Sequence, residues 1–319
     1  MAKILGICGS PRKGATEYAV LEALKEAETI PGIETEYWSV RGKKISPCVH
    51  CDACIRKETM CIIKDDIQEL EQKILEADGI IVGSPVYDMN ITAQLTAVFN
   101  RLRPMYLVHP GKLQNKVGAA ITTGGTRYGG QELTKLPIIN FFLMHEMLVS
   151  GGLGGCYIGG TIWSKDGKAK GAQEDETGMD TVKRLGKGAA EAVMVSKFGL
   201  EKWNVVKEEL DVKNNADSLV YQAEKALKEL DGKGDTALLK EVEEAKDKLK
   251  KSIEAGNIED IKKDSEALEQ PLHKLAEQMY AAAQQAQQAA GGAEQGQQQT
   301  KSDDNVVDAD YTVVDDDKK

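Results

Sequence analysis

Lys3-Ile4-Leu5-Gly6-Ile7-Cys8-Gly9-Ser10-Pro11-Arg12-Lys13-Gly14-Ala15-Thr16 is the stretch that decides the fold. Residues 3–8 are apolar with no helical period, as in a strand buried on both faces of a parallel sheet. A Gly-rich turn follows, and then Val20, Leu21, Leu24 and Ala27 give an amphipathic helix one apolar face. Strand, glycine loop and helix N-terminus together make an anion site, because first-turn N–H groups and the helix dipole face a bound phosphate. Ser10 and Thr16 add hydroxyls and Arg12 adds charge. The Walker A pattern is excluded, since Ala15-Thr16 rather than Lys-Ser/Thr follows Gly14, and no G-x-G-x-x-G is present here. An ordinary βα turn without a ligand is the competing reading.

Outward from this unit the pattern repeats. Residues 33–40 (IETEYWSV) read as a second strand, and Asp65-Asp66 open a helix with Ile67, Leu70, Ile74 and Leu75 inward. Residues 79–83 (GIIVG) form a third strand, which ends in Ser84-Pro85-Val86-Tyr87-Asp88-Met89-Asn90 before a helix over 91–102. Residues 116–122 form a fourth strand, ending in Thr123-Gly124-Gly125-Thr126-Arg127-Tyr128-Gly129-Gly130, with a helix from Glu132. A fifth strand is expected at 156–158 and a closing helix over 177–197. Alternating strands and helices imply an α/β, doubly wound, parallel five-stranded sheet. Ligands in such sheets bind beyond the carboxyl ends of the strands, which is where loops 9–16, 84–90 and 123–130 all lie.

After the second strand comes Pro47-Cys48-Val49-His50-Cys51-Asp52-Ala53-Cys54, and Cys61 follows six residues later. Four of the six cysteines fall in this window. Three thiols at two-residue spacing can wrap one face of a [4Fe-4S] cube, and the fourth completes it. A zinc site more often uses two well-separated C-x2-C pairs. Zinc, redox disulfides and free thiols stay open as alternatives. His50 reads as exposed or as supporting the ligands, and Cys8 and Cys156 as packing residues. Tyr87 reads as stacking in the site, Arg127 and Tyr128 as ligand contacts or loop-shaping residues, and His109 and His145 as packing. No Ser/His/Asp or paired-carboxylate arrangement stands out, so no catalytic acid–base residue is assigned.

Composition divides the chain. The net charge is −10, and all seven Arg and all six Cys lie in residues 1–200. So acidic a chain is a poor nucleic-acid binder. No long apolar run suggests a membrane span, and the N-terminus does not read as a secretory signal. A cytoplasmic protein is expected.

The segments GSPRKGAT, GSPVYDMNITAQLTAVFNR and TTGGTRYGGQE resemble the three flavin-contacting segments of the flavodoxin-like NAD(P)H-dependent FMN reductase family. With the compact cysteine run after the second strand, residues 1–198 are most similar to its iron–sulfur flavoprotein branch. That resemblance implies one FMN and one [4Fe-4S] cluster per subunit, held in a homo-oligomer. By position, Ser10, Arg12, Gly14, Ala15 and Thr16 would hold the FMN phosphate. Pro85, Val86, Tyr87, Asp88, Met89 and Asn90 would lie along the isoalloxazine and ribityl chain, and Thr123, Gly124 and Gly125 would close the other side. Cys48, Cys51, Cys54 and Cys61 would bind the metal. Ala15 departs from the family's frequent Asn, and Asp88-Met89 from its usual aromatic-plus-small pair. The implied activity passes single electrons from a ferredoxin-like donor through the cluster to FMN. An NAD(P)H-dependent FMN or quinone reductase with a zinc-bound loop is the alternative.

The remainder is helical by period. Stripes run Ala216, Leu219, Val220, Ala223, Leu227, Leu230; then Leu238, Val242, Ala245, Leu249, Ile253; then Ile261, Leu268, Leu272, Leu275, Met279. Turns are expected at 232–234 and 256–257, and a kink or break at Pro271. Residues 208–319 resemble the C-terminal helical lid and acidic tail of DnaK-type chaperones, without the ATPase domain or peptide-binding sandwich. A chaperone-derived interaction module is therefore a further alternative. The expected domains are 1–200, containing the cysteine loop 47–62; a helical domain 201–290; and a disordered acidic tail 291–319. The junction is expected near 199–207.

Overall fold

The computed structural model describes residues 1–230 and 236–290, with side chains placed up to residue 278. The expected turn at 232–234, the Met279 side chain and the expected tail 291–319 lie outside the described residues. The chain forms two compact units, Met1–Val206 and Lys207–Lys319.

In the first unit, β1 (Ala2–Cys8), α1 (Ala15–Ala27) and β2 (Ile33–Ser39) are followed by the short α2 (Ala53–Arg56) and by α3 (Ile67–Glu76). Then come β3 (Gly79–Pro85), α4 (Ala93–Arg101), α5 (Arg103–Leu107), β4 (Val117–Gly124) and α6 (Gln131–Met144). β5 (Leu148–Val149), β6 (Gly160–Trp163), α7 (Lys168–Gln173) and the first part of α8 (Glu176–Glu229) complete it. All the strand pairings are parallel, in the order β2-β1-β3-β4-β5, with β6 also on β4. This is the flavodoxin-like doubly wound sheet. The chain leaves β1 for β2 on one side and returns to place β3 on the other, so the switch in strand order falls between β1 and β3.

Strand periodicity sorts side chains onto two cores. Leu5, Ile7, Ile80, Val82 and Ala120 face α3, α4 and α6, whereas Ile4, Ile81, Ala119 and Ile121 face α1 and α8. Each buried Ile contributes about 1.5–3 kcal/mol by leaving water. Helix and sheet approach closely where glycine stands: a Cβ on Gly83 would lie 2.4 Å from Val20 Cγ2.

Three expectations need correcting. The fifth strand is not at 156–158. β5 pairs Leu148–Val149 with Val117–Gly118, β6 pairs Gly160–Trp163 with Ile121–Gly124, and 156–158 lie in the loop between them. Cys156 packs there instead of pairing, at 3 % exposure. Gly159 makes the return: at φ +126° its α-carbon sits so close to the Ala120 carbonyl that a Cβ would lie 2.2 Å from the oxygen. Second, the closing helix does not stop at 197. α8 continues to Glu229 through the expected junction, because Gly199 costs only about 1 kcal/mol in a helix and no proline interrupts it.

Third, of the kink or break expected at Pro271, the break does not occur. In the second unit the last part of α8, α9 (Thr236–Ala255) and α10 (Ile258–Ala290) share one core that includes Ala216, Val242, Leu249, Ile261, Leu268 and Leu275. α10 runs through Pro271, whose neighbour Leu272 is buried in that core. Packing on both sides outweighs the missing backbone bond. Gly256 turns the chain between α9 and α10 at φ +74°, and the Asn257 carboxamide accepts the Glu259 N–H.

Candidate functional site

β1 ends at Cys8, and the Gly9 N–H still reaches the Gly83 carbonyl at 2.7 Å. The chain then turns. The Ser10 hydroxyl donates to the Arg12 carbonyl (2.9 Å) and accepts the Arg12 N–H (3.3 Å). α1 begins with Gly14 at its cap and no capping side chain, which leaves its first-turn N–H groups directed at the cleft. The Thr16 hydroxyl bonds that of Thr123 at 2.6 Å, joining the first loop to the third.

The second loop leaves β3 and is fixed to β4 by the Val86 N–H to the Thr123 carbonyl (2.9 Å). Tyr87 and Asn90 exchange two backbone bonds around Asp88 and Met89, both at positive φ (48° and 58°). This is a two-residue hairpin turn that glycine usually occupies. Met89 is 58 % exposed, with its side chain against Gly130. Thr92 then caps α4 by accepting the Leu95 N–H, and its hydroxyl donates to the Gly9 carbonyl at 2.7 Å.

The three loops converge on one cleft. Ser10, Arg12, Gly14, Ala15 and Thr16 line it from the first loop, Pro85, Val86 and Tyr87 from the second, and Thr123 and Gly125 from the third. Asp88, Met89 and Asn90 form the turn beside it, and Gly124 lies against Gln131.

Ser164, Asp166 and Lys168 also line this cleft, and sequence reasoning missed them. They follow β6. Once the fifth strand is placed at 160–163, the rule of loops after strand ends finds them. Lys165, Asp166 and Lys168 all have φ near +50–56°, a conformation costing on the order of 1–2 kcal/mol each. Such strain clusters at ligand clamps. The segment is anchored by Ser164, whose N–H and hydroxyl both donate to the Gly124 carbonyl, and by Trp163 Nε1–H to the Gly125 carbonyl. Arg127 and Lys165 lie over the Trp163 ring, and Tyr128 is almost wholly exposed.

Residues 47–64 form a second site. The excursion is closed at its neck. Lys44 N–H bonds Asp66, Ser46 N–H bonds Asp65, and the Asp66 N–H returns to the Lys44 carbonyl. Ile45 and Met60 pack on the core beside it. Within it, His50 and Asp52 take left-handed φ (52° and 53°), turning the chain between successive cysteines. Cys54 is buried, Cys48 and Cys61 are partly buried, and Cys51 is exposed. Among the described residues, no three His, Cys, Asp or Glu side chains converge as a metal-binding group. The four thiols share a loop and not a coordination sphere. Their soft donor chemistry and shared short loop nonetheless fit an iron–sulfur cluster.

Two arginines bring charge to this loop. Arg103 pairs with Asp52, between Cys51 and Cys54. Arg101 is fully buried against Asp65. Burial works against the Asp65 charge, but Arg101 and the N–H groups of Ser46 and Ile67 outweigh it and hold the carboxyl below its ordinary value. Burial pushes the Glu71 carboxyl up to about 7, against a hydrogen bond from the Cys61 backbone. His145 packs edge-on against both Phe141 and Tyr106, and burial pulls it down to about 4.

No helix among the described residues is long and apolar enough to cross a membrane. The NADPH-dependent FMN reductase family matches residues 2–153, and the Hsp70 protein family matches residues 167–281. The Hsp70 match starts upstream of the resemblance read from 208. An iron-sulfur flavoprotein of Methanocaldococcus jannaschii is 44% identical over 183 residues, covering 57% of this chain and 92% of that one. An iron-sulfur flavoprotein of Archaeoglobus fulgidus is 45% identical over 189 residues, 59% of this chain and 95% of that one. Among solved structures, RosB with a bound riboflavin-phosphate intermediate aligns with a TM-score of 0.51 at 16% identity, over 66% of this chain and 87% of that one, a likeness of fold. The chain belongs to the iron–sulfur flavoprotein family: it is a flavin-dependent oxidoreductase whose cofactors are FMN and an iron–sulfur cluster.

Proposed function

We propose that this protein is an electron-transfer flavoprotein that passes single electrons between a [4Fe-4S] cluster and FMN, supplied by a ferredoxin-like donor. When bound, the cluster carries one electron at a time and the flavin one or two. The observation that carries this reading is α4. Its first residues are tied to the phosphate loop through Thr92 and Gly9, and its last residue, Arg101, is bonded into the cysteine loop. Both candidate sites are thus built on one nine-residue helix.

The chain's own residues divide the work. Arg12, the Ser10 and Thr16 hydroxyls and the free first turn of α1 would hold the FMN phosphate, and Lys168 supplies a second cation to the cleft. That lysine compensates for Ala15, which offers the phosphate no side-chain donor where the family often has Asn. Tyr87 and the 85–90 turn would flank the isoalloxazine, with Thr123 to Gly125 opposite. Cys48, Cys51, Cys54 and Cys61 would ligate the cluster.

The domains follow the same division: residues 1–200 carry the chemistry, and the DnaK-lid-like helices 201–290 take no part in it. The reading places the protein in the cytoplasm, and a homo-oligomer fits, because α6 leaves Leu133, Leu136, Leu143 and Met144 about half exposed.

The test is the visible spectrum, iron and acid-labile sulfide of anaerobically purified protein, before and after reduction. About four iron and four sulfide per chain, with flavin bands over a bleachable background, are expected. Zinc without sulfide overturns the reading. Rapid reduction by reduced ferredoxin but not by NAD(P)H supports the donor assignment, and the reverse overturns it.

A further inference from the structure

Arg101 is the largest fully buried side chain of the first unit, and all five of its N–H donors are used. Nη1 donates to Asp65 Oδ2 (2.7 Å) and the Ser46 carbonyl (2.9 Å). Nη2 donates to Asp65 Oδ1 (3.1 Å) and the Ile63 carbonyl (3.0 Å). The fifth donor, Nε, reaches Cys61 Sγ at 3.1 Å. One guanidinium therefore grips both strands of the loop's neck and one thiol. A buried, fork-shaped ion pair with every donor satisfied is a specific arrangement, since lysine's three donors cannot reproduce it.

Asp65 balances the charge of Arg101, so this pair adds little net charge beside the sulfurs. What remains directed at Cys61 is a hydrogen bond. Hydrogen bonds to the sulfurs of an iron–sulfur centre are among the determinants of its reduction potential. A donor stabilises negative charge on sulfur, and that charge grows when the centre gains an electron. Arg103 is different in kind: it pairs with Asp52, remains partly exposed, and donates no hydrogen bond to a cysteine sulfur that the structure shows.

We propose that Arg101 is a positioning residue for the iron–sulfur centre, holding Cys61 in place as a ligand and raising the centre's reduction potential through its Nε–H···S hydrogen bond. The proposal rests on the reading of Cys61 as a ligand.

The test compares Arg101→Lys, the paired variant Arg101→Gln with Asp65→Asn, and Arg103→Gln in the full chain. The paired variant removes both charges together, so no buried carboxylate is stranded and net charge is unchanged. Iron, sulfide and FMN are measured per chain, and the potential of the centre is followed by EPR-monitored titration. Expected are unchanged FMN content and a more negative potential in both Arg101 variants, the paired one at unchanged net charge; Arg103→Gln, which strips a charge near Cys48 and Cys54, gives the shift that lost charge alone produces. A cluster-loaded paired variant at the parent potential overturns the proposal. If neither Arg101 variant retains iron, Arg101→Lys is reconstituted with iron and sulfide. A parental potential then also overturns the proposal, as does loss of FMN along with iron, which would mark a general folding role. Cys61→Ser separates this proposal from the reading beneath it. Full iron retention there removes Cys61 from the ligand set, whereas an unshifted potential in the Arg101 variants leaves the ligand set intact.

Discussion

The cleft proposed for the flavin and the cysteine loop stand at opposite ends of α4 and are built in opposite ways. The cleft is walled by loops that the sheet itself holds: Gly9 to Gly83, Val86 to Thr123, Ser164 to Gly124 are all bonds between strand ends. Nothing in it depends on a ligand to bring Ser10, Thr16 and Thr123 together. The cysteine loop has one short helix and a neck, and its four thiols do not yet share a centre. The sheet pre-organises one site, whereas the other is closed by buried side chains and, on the function proposed above, by metal–sulfur bonds. Metal binding to such a loop contributes ordering that the loop lacks alone.

The comparison breaks most sharply at Cys61. Cys61→Ser should lose most of the iron and sulfide while FMN content and the sheet's thermal stability stay close to the parent, measured by metal analysis and flavin absorbance. Loss of both cofactors would mean that the cleft depends on the loop after all. Next in size is acid. His145 backs Phe141, which stacks on Phe99 of α4 at 4.3 Å. Its pKa is depressed, from 6.5 to about 4, so the unfolded chain binds a proton that the folded chain refuses. Its stabilising contribution is whole above pH 6.5 and is lost as pH falls toward 4. Between pH 7 and 5 that amounts to about 2 kcal/mol. Urea unfolding of the parent should show this loss relative to His145→Leu; parallel pH profiles would exclude it.

At the cleft, Arg12→Ala or Lys168→Ala should weaken FMN binding about tenfold, the worth of one charge-assisted hydrogen bond, read by flavin release on dilution with iron unchanged. Equal affinity in Lys168→Ala would remove the 164–168 segment from the site. The smallest effect is expected from ending the chain after Val206. FMN and iron per chain should match the full-length protein within error, and a truncated protein that folds without either cofactor would overturn the domain assignment.

Much of the first unit was legible because its strands are continuous apolar runs and its loops carry glycine and proline at strand ends. The 9–16, 85–87 and 123–125 residues could be gathered into one site from that alone. The fifth strand was not, because Gly151 to Gly160 dilutes its pattern and only Thr161-Ile162-Trp163 carry a β signal. Without the strand, Ser164, Asp166 and Lys168 had no place in the site. The continuity of α8 was hidden by a change of composition that the backbone ignores. Arg101 closes the segment GSPVYDMNITAQLTAVFNR, but nothing in it pointed to the cysteine loop. An arginine closing an amphipathic helix reads as a surface residue, and only the fold shows that Asp65, thirty-six residues earlier, is waiting for it.

The interrupted fifth strand has a consequence for solubility. A sheet's edge exposes unpaired backbone groups that another chain can extend. Here one edge is divided into a two-residue and a four-residue piece, with a glycine-rich loop thrown out between them. The opposite edge, β2, carries Glu34 and Glu36 along its length, with Lys3 and Lys73 drawn to Glu36. Neither margin offers a long, flat, uncharged template. The sheet therefore resists adding a foreign strand.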